Sequence, residues 1–530
     1  MPLSRRPRDL SFALKASAAL ALVVVADLLF WGHDIGSALG GFALLLTLAA
    51  TALHPAARRD RKAGWALLSA TALSLVLAWA PSSMAWMLFW ATLSLAVLLP
   101  RAARFDDAWR WSQRLVAQAV VSLAGPGLDL ARARKTNRAA QAWNGRAAGA
   151  LLALPVVGGG VFLALFAAAN PVIATALSAL RFPAFSADLF FRSIFWLLVL
   201  TLAWSLLRPR RRRALPVGKT ASPAVAEVSV ASVTLSLIVF NALFAVQNGL
   251  DAVILWGGAG PPAGLTLAQY AHRGAYPLIA TALLAGLFVL VMLDPRMKTA
   301  KVPLIRVLVV VWVAQNLFLV ASSILRTVDY VQAYSLTRLR IAALVWMALV
   351  GLGLILICWR MLCGKSGAWL INANAAAALL VLTASCVADL GAVAAAWNVR
   401  HAREVGGQGA ALDVCYLNDL GPSALVSLVE LERASTSPEL TDRVAWVRER
   451  ALIDLRAQQA DWRGWTVRDA LRLERVRAFK RERPLVHSAP AYQRDCDGRP
   501  VAPPPPEPAP PSIPYDVPLT STPLTPGPEH

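Results

Sequence analysis

Charged residues make up only 16% of this 530-residue chain, against 57% hydrophobic residues. Soluble globular proteins carry about 25% charge, so a solvated globule is excluded. Histidine is scarce and dispersed, six in all, and cysteine numbers five. No histidine cluster offers a metal centre, and the pair Cys358 and Cys363 has no second pair to complete a zinc site. H-E-x-x-H, G-x-S-x-G and P-loop motifs are missing, which removes the usual sequence support for metalloprotease, serine-hydrolase or nucleotide chemistry. No catalytic residue, metal or cofactor is therefore assigned. The run Gly257, Gly258, Gly260, Pro261, Pro262 reads as a loop turn.

What the chain has is apolar length. A mean hydropathy of +0.54 is concentrated in stretches near 13–31, 36–53, 64–80, 83–100, 148–169, 190–207, 227–247, 275–293, 303–323, 341–359 and 372–394. Crossing a hydrocarbon core of about 30 Å takes about 20 apolar residues in a helix. The expected fold is all-α: a polytopic transmembrane helical bundle of about eleven spans over residues 1–398. A small helical tail unit follows over 399–483, and a Pro-rich disordered tail over 484–530. The first span, preceded by Arg5, Arg6 and Arg8 and interrupted by Lys15 and Asp27, reads as an uncleaved helix rather than a signal peptide.

The formal charge of +21 invites a nucleic-acid reading that its distribution opposes. From Arg400 onward 17 basic residues face 18 acidic ones, so the whole excess lies in the membrane part. There it alternates. One set of connections holds Arg58, Arg59, Arg61 and Lys62; nine basic residues from Arg101 to Arg146; Arg208 and Arg210 to Arg213; Arg296, Lys298 and Lys301; Arg360 and Lys365. The other set is nearly free of them until Arg273 and the group Arg326, Arg338, Arg340. The bias of basic loops toward the cytosol puts the N-terminus inside and the C-terminal tail outside, in a bacterial cytoplasmic (inner) membrane. The expected partners are the lipid bilayer and, through the tail, another envelope protein, with no nucleic acid.

Two connections read as more than tethers: 105–130, with Trp109 and Trp111 among arginines, as an interfacial helix, and 171–189 as a similar element on the other face. Gly36, Gly40 and Gly158 to Gly160 read as close-packing surfaces. In the tail, a helix is expected from Thr441 as N-cap, and another near Thr466 with Asp469 in capping-box spacing. A helix opened by Gly421, Pro422 and Ser423 precedes them. Cys415 and Cys496 fall on the outer side, where a disulfide is allowed; two unpaired thiols are the alternative.

Polar groups inside spans are costly and mark candidate sites. They collect toward the outer face: Asn241, Gln247, Asn248 and Asp251; Tyr270, His272, Arg273 and Tyr276; Gln315 and Asn316 near mid-membrane; Arg326, Asp329, Tyr330, Tyr334, Arg338 and Arg340; Asp389 and Asn398. Arg326, Asp329 and Tyr330 share one helix face at i, i+3 and i+4. Tyr270, Arg273, Arg326, Asp329, Tyr330, Arg338 and Asp389 form the candidate cluster. It reads either as a cavity holding an anionic group or as an ion-pair set, with Arg273, Arg326 and Arg338 matched to Asp251, Asp329 and Asp389.

Several of these segments resemble a known family. Tyr270-Ala-His-Arg273-Gly274-Ala-Tyr276 is similar to a "YA-x-x-G-F/Y-x-x-L" signature. Arg326 to Arg340 resembles "R-L-x-L-Y-x-x-A-Y-G-L-T-x-x-R", Asn398-Val resembles "Y-N-I/V", and Leu412 to Leu417 resembles "L-D-x-x-Y-L". These belong to an uncharacterised bacterial polytopic membrane family, a domain of unknown function (the 4153/4173 group). The resemblance covers roughly 230–470, and 147–230 loosely. It departs at Ser335, where the family usually has glycine, and at Trp397, where tyrosine is commoner. It implies fold and membrane location, and no site residue or mechanism. Three functions stay open: a non-enzymatic envelope scaffold or sensory partner acting through the tail, favoured; a transporter or permease with its polar site within 247–340; and a membrane enzyme on a lipid-linked substrate.

Overall fold

The computed structural model describes residues 7–102, 105–129, 187–209, 229–257 and 302–502, with Thr281, Leu284 and Phe288 as further helical positions. The expected spans near 148–169 and 275–293, Gly158 to Gly160, most of 171–189, Tyr270, Arg273, and the chain from 503 onward lie outside the described residues.

The membrane part is a helical bundle in two groups. The first contains α1 (Pro7–Phe30), α2 (Ala38–Leu53), the short α3 (Pro55–Arg59), α4 (Arg61–Trp79), α5 (Ser83–Leu98), the amphipathic α6 (Ala108–Leu123) and α7 (Ala187–Leu207). The second contains α8 (Val230–Asp251), prolonged by a π turn at Ala252–Trp256, then α9 (Pro303–Tyr334), α10 (Arg338–Leu362) and α11 (Gly367–Val387). Eight described helices are long and apolar enough to cross a membrane, and α2 is a shorter apolar one. Their outer faces expose Leu20, Val24, Leu48, Leu75, Leu197, Leu243 and Leu380. In water such surface would be unstable; against lipid tails it has no cost.

Small residues set the helix spacing in the first group. Ala19, Ala26, Ala43 and Ala70 are fully buried around Phe89, Leu77 and Leu93. At Gly40 a Cβ would meet the Ala78 backbone nitrogen at 2.3 Å, so α2 and α4 approach at backbone distance. The second group packs around Trp312, stacked on Phe240 at 5.3 Å and edge-on to Phe244 and Phe288. The helix α6 behaves as its pattern requires: Asp107 caps it through the Arg110 nitrogen at 2.8 Å, Trp111 is buried, and Trp109, Val116, Val120 and Leu123 face outward.

One end of the bundle bears the basic connections at 54–62, 101–107, 208–209 and 363–366. The other bears the turns at 31–37, 80–82, 335–337 and 388–389, and there the tail is seated. The expected span 372–394 is interrupted: α11 stops at Val387, and Asp389 caps a new helix, α12 (Leu390–His401), through the Ala392 nitrogen at 3.1 Å. Ala395 and Val399 of α12 are buried among tail residues, because an alanine-rich turn after a carboxylate cap packs on protein instead of lipid. The tail continues with α13 (Val414–Asp419), a 3-10 turn (Gly421–Ala424), α14 (Leu425–Ala434), α15 (Pro438–Ala460), α16 (Val467–Glu482) and a two-stranded hairpin, β1 (Gln493–Arg494) and β2 (Pro500–Val501).

The helix expected from Thr441 begins earlier: Ser437 accepts from the Leu440 nitrogen, and Pro438 occupies the first turn, where its missing N–H is harmless. At α16 the Thr466 hydroxyl caps the Asp469 nitrogen at 3.2 Å. Two adjoining cores, around Leu417, Leu428 and Val444 and around Leu425, Leu455 and Val476, make the tail a packed unit. Cys415 and Cys496 are joined by a disulfide with Cα atoms 4.8 Å apart, tying the hairpin to α13.

Candidate functional site

The polar residues of the second group form a seam between α8 and α9. Asn241 and Asn248, two helical turns apart, both meet Gln315. The Gln315 side-chain amide donates to Asn241 Oδ1 at 2.9 Å, and the Asn248 amide donates to the Gln315 carbonyl at 3.1 Å. Asn241 also donates to the Leu308 carbonyl at 3.1 Å. Further along, Asp251 Oδ1 accepts from Gln247 Nε2 at 3.1 Å and from the Arg326 guanidinium. Asp251 is 1% exposed and Arg326 7%. Trp256 closes this end, stacked on Phe318 and donating to Ser322 Oγ at 3.3 Å. Several acceptor atoms in the seam have no donor among the described residues: Asn248 Oδ1, Asp251 Oδ2, Gln315 Oε1 and Asn316 Oδ1.

The expected cluster does not converge on one point. Arg326 turns to Asp251 on α8 instead of Asp329 on its own helix. The stripe Trp312, Asn316, Leu319, Ser323, Arg326 is buried, and among the described residues Asp251 pairs with Arg326. Asp329 has no ion pair among the described residues. Tyr330 packs against Tyr334 with ring centroids 4.9 Å apart and lies under the Arg340 guanidinium at 4.3 Å. Arg340 in turn binds the carbonyls of Tyr334 and Ser335. Arg338 makes no carboxylate pair among the described residues: its backbone nitrogen donates to the Tyr416 hydroxyl at 2.9 Å, and its guanidinium lies against Ser423 and Gly391. Asp389, matched with an arginine of the cluster in the sequence reading, takes Arg472 of α16, which also binds Asp469. Burial and the neighbouring Arg338 push Arg472 down to about 10, so it stays charged at neutral pH.

These last contacts form a latch between tail and bundle. Arg468 donates to the Val387 carbonyl at 2.9 Å. The Asn398 side chain pairs with both backbone groups of Leu336, at 2.6 and 2.9 Å. On the first group, Arg463 donates to the Leu28 carbonyl at 3.0 Å, the Ser37 nitrogen donates to the Trp465 carbonyl at 2.7 Å, and His33 lies 3.2 Å from Asp461. Gly36 permits this seat, since a Cβ there would lie 2.4 Å from the Arg463 carbonyl oxygen. Beside the latch a cleft of about 280 Å³ opens, lined by Gln332, Ser335, Trp397, His401 and Gln408 among others.

Sequence reasoning missed a second ion pair within the bundle. Arg192 of α7 binds Asp27 of α1 with both arms of its guanidinium, at 2.8 and 2.6 Å, and Trp196 donates to the same carboxylate at 2.8 Å. Each residue was visible alone as a charge inside a span; the adjacency of α1 and α7, distant in sequence, was not. Arg472 was hidden in an arginine-rich helix for the same reason.

Fold and site together define an integral membrane protein: a polytopic helical bundle with a disulfide-closed helical unit latched to one end. The family model for Domain of unknown function (DUF4153) matches residues 67–431, and the chain belongs to that family. No curated protein and no solved structure matches the chain.

Proposed function

We propose that the protein is a non-enzymatic scaffold or sensory partner of a bacterial inner membrane, with its N-terminus in the cytosol and its tail outside. The observation that carries this reading is the seat of the tail. It touches the first helical group through Arg463 and Trp465 and the second through Arg472, Asn398 and Tyr416. A folded unit bound to both groups registers any change in their relative position and presents it on its own exposed surface, where Trp462 and Tyr492 are open. Among the described residues, the basic connections at 54–62, 101–107, 208–209 and 363–366 lie at the opposite end, which supports the orientation.

The test compares three chains in a strain lacking the gene: full length, a chain ending at 402, and full-length Gly36→Ala with Arg472→Ala. The scaffold reading expects the shortened chain to accumulate yet fail to restore the envelope phenotype, and the unlatched chain to restore it only in part. Full restoration by the shortened chain refutes it. A transporter is the second reading, favoured by the donorless acceptors of the α8–α9 seam. It expects a solute that stabilises the purified chain and an Asn316→Leu variant that loses the effect.

A further inference from the structure

The basic end of the first helical group contains a cluster outside the seam and the latch. Its hub is the last turn of α7 and the residue after it. Arg208 lies over the ring of Phe12 at 5.2 Å, and Lys15 follows Phe12 by three residues, on the same face of α1. Arg101, closing the 3-10 turn Leu99–Arg101 that follows α5, donates to the Pro209 carbonyl. His54, at the end of α2, is 8% exposed with Nε2 at 3.0 Å from the Leu206 carbonyl. Lys15 is within electrostatic reach of Arg101 and Arg208, and His54 of Lys15 and Arg101. Three separate elements thus bring three cations to one place, with His54 of a fourth beside them.

The compensating charge is small. Asp129 is the carboxylate of the group among the described residues, 3.7 Å from Arg208 and accepting from Trp204 at 3.0 Å. No ion pair among the described residues involves Lys15 or Arg101. The carbonyl end of α7 supplies about half a negative charge, against two uncompensated positive ones. Partly buried charges without a partner are costly. Burial and the adjacent cations push His54 down to about 4, so it is neutral at pH 7 and forms a wall of the cluster.

We propose that Lys15, Arg101 and Arg208 form a binding site for a phosphate group. The arrangement is a charged fork from arginine and a point charge from lysine around one anion. It sits where the bundle meets a lipid surface, so a phospholipid headgroup is the carrier at hand. Free phosphate presents the same chemistry.

The test uses the full chain purified in detergent and follows lipid retention by native mass spectrometry and apparent Tm on titration. Phosphatidylglycerol, phosphatidylcholine and inorganic phosphate are the probes. The expected result is retention of phosphatidylglycerol with a raised Tm. Affinity falls about tenfold or more in Lys15→Gln/Arg101→Gln, the scale of losing charge-assisted contacts. It is unchanged in Arg58→Gln/Arg59→Gln, whose side chains are exposed elsewhere at this end. Without lipid, the Lys15→Gln/Arg101→Gln chain melts no lower than wild type, because it has lost uncompensated charge; a purely structural role predicts the reverse. If inorganic phosphate alone gives the same shift, lost in the same variant, the ligand is free phosphate. Equal retention of phosphatidylglycerol by both double variants overturns the site. Should Lys15→Gln/Arg101→Gln not accumulate, Lys15→Gln is compared with Lys15→Arg, which keeps the charge and is expected to keep the lipid.

Discussion

Breaking the Asp251–Arg326 pair tests whether the α8–α9 seam is held by charge. Asp251 is 1% exposed and Arg326 7%, so neither reaches bulk water. Removing one partner of a buried pair costs about 3–5 kcal/mol, because the other charge remains without compensation. For a cooperative unit of 150–250 residues each kcal/mol is about 2–4 °C, which makes the expected fall in apparent Tm of Asp251→Asn roughly 6–20 °C. The two single variants should differ in their pH response. The carboxylate left by Arg326→Gln can neutralise itself by taking a proton, whereas the guanidinium left by Asp251→Asn keeps its charge. The Arg326→Gln deficit should therefore shrink as pH is lowered from 8 to 5, and the Asp251→Asn deficit should persist. In Asp251→Asn/Arg326→Gln no charge is stranded, and stability should exceed that of the worse single variant, the signature of direct coupling. The assay is fluorescence-detected melting in detergent, with accumulation in the membrane as a control. Single variants within about 2 °C of wild type, or a double variant as poor as the two deficits summed, would refute the argument.

Three further outcomes follow from the same geometry. The Cys415–Cys496 bridge closes a separation of 81 residues, worth about 4.5 kcal/mol in the chain-entropy account; Cys496→Ser should expose 484–501 to protease before the tail cores open, and unchanged cleavage would count against it. Asp442 is held below its ordinary value by the Arg494 guanidinium and the Ala489 nitrogen. Its contribution is whole above the unfolded value of about 3.9 and is lost as pH falls below that. Hydrogen exchange at 489–501 should accelerate in that acid window, with the acceleration absent in Asp442→Asn. Ser335 adopts φ 70° and ψ 165°, a conformation that costs a residue with a Cβ about 1–3 kcal/mol. Ser335→Gly should raise the apparent Tm and Ser335→Ala should not; equal effects would show the turn to be unstrained.

How far the sequence led depends on the range of the interaction concerned. Spans were legible because lipid demands apolar length in each helix separately, and α1, α2, α4, α5, α7 and α10 lie close to where hydropathy placed them. Caps were legible where the acceptor acts within three residues, as at Thr466, and misplaced by one turn where Ser437 and Pro438 outcompeted Thr441. The break at Asp389 was not legible, since Leu390 to Ala396 is as apolar as the span before it; only the tail core that buries Ala395 separates the two. Charge pairing was the least legible. Arg326 and Asp329 share a helix face, yet Arg326 takes its carboxylate from Asp251 on α8, and helical spacing carries no information about which helix adjoins.

That division bears on where the work of this protein is done. The ion pairs Asp27–Arg192 and Asp251–Arg326 each tie two helices within one group. The tail contacts tie both groups to a third body. A relative shift of the groups leaves the internal pairs intact and is taken up where α11 meets α5 and α6 and at the latch, where Asn398 grips a turn and Gly36 admits a carbonyl with no room for a methyl group. The latch is thus the place where a displacement costs most and where a partner gripping the tail would exert most leverage. If so, disulfide cross-links within a group should be silent. A cross-link between the 31–37 turn and the 461–465 turn should lock the tail, change its protease pattern and abolish the cellular phenotype together. Loss of the phenotype with a tail that is still free would place the working part inside the seam.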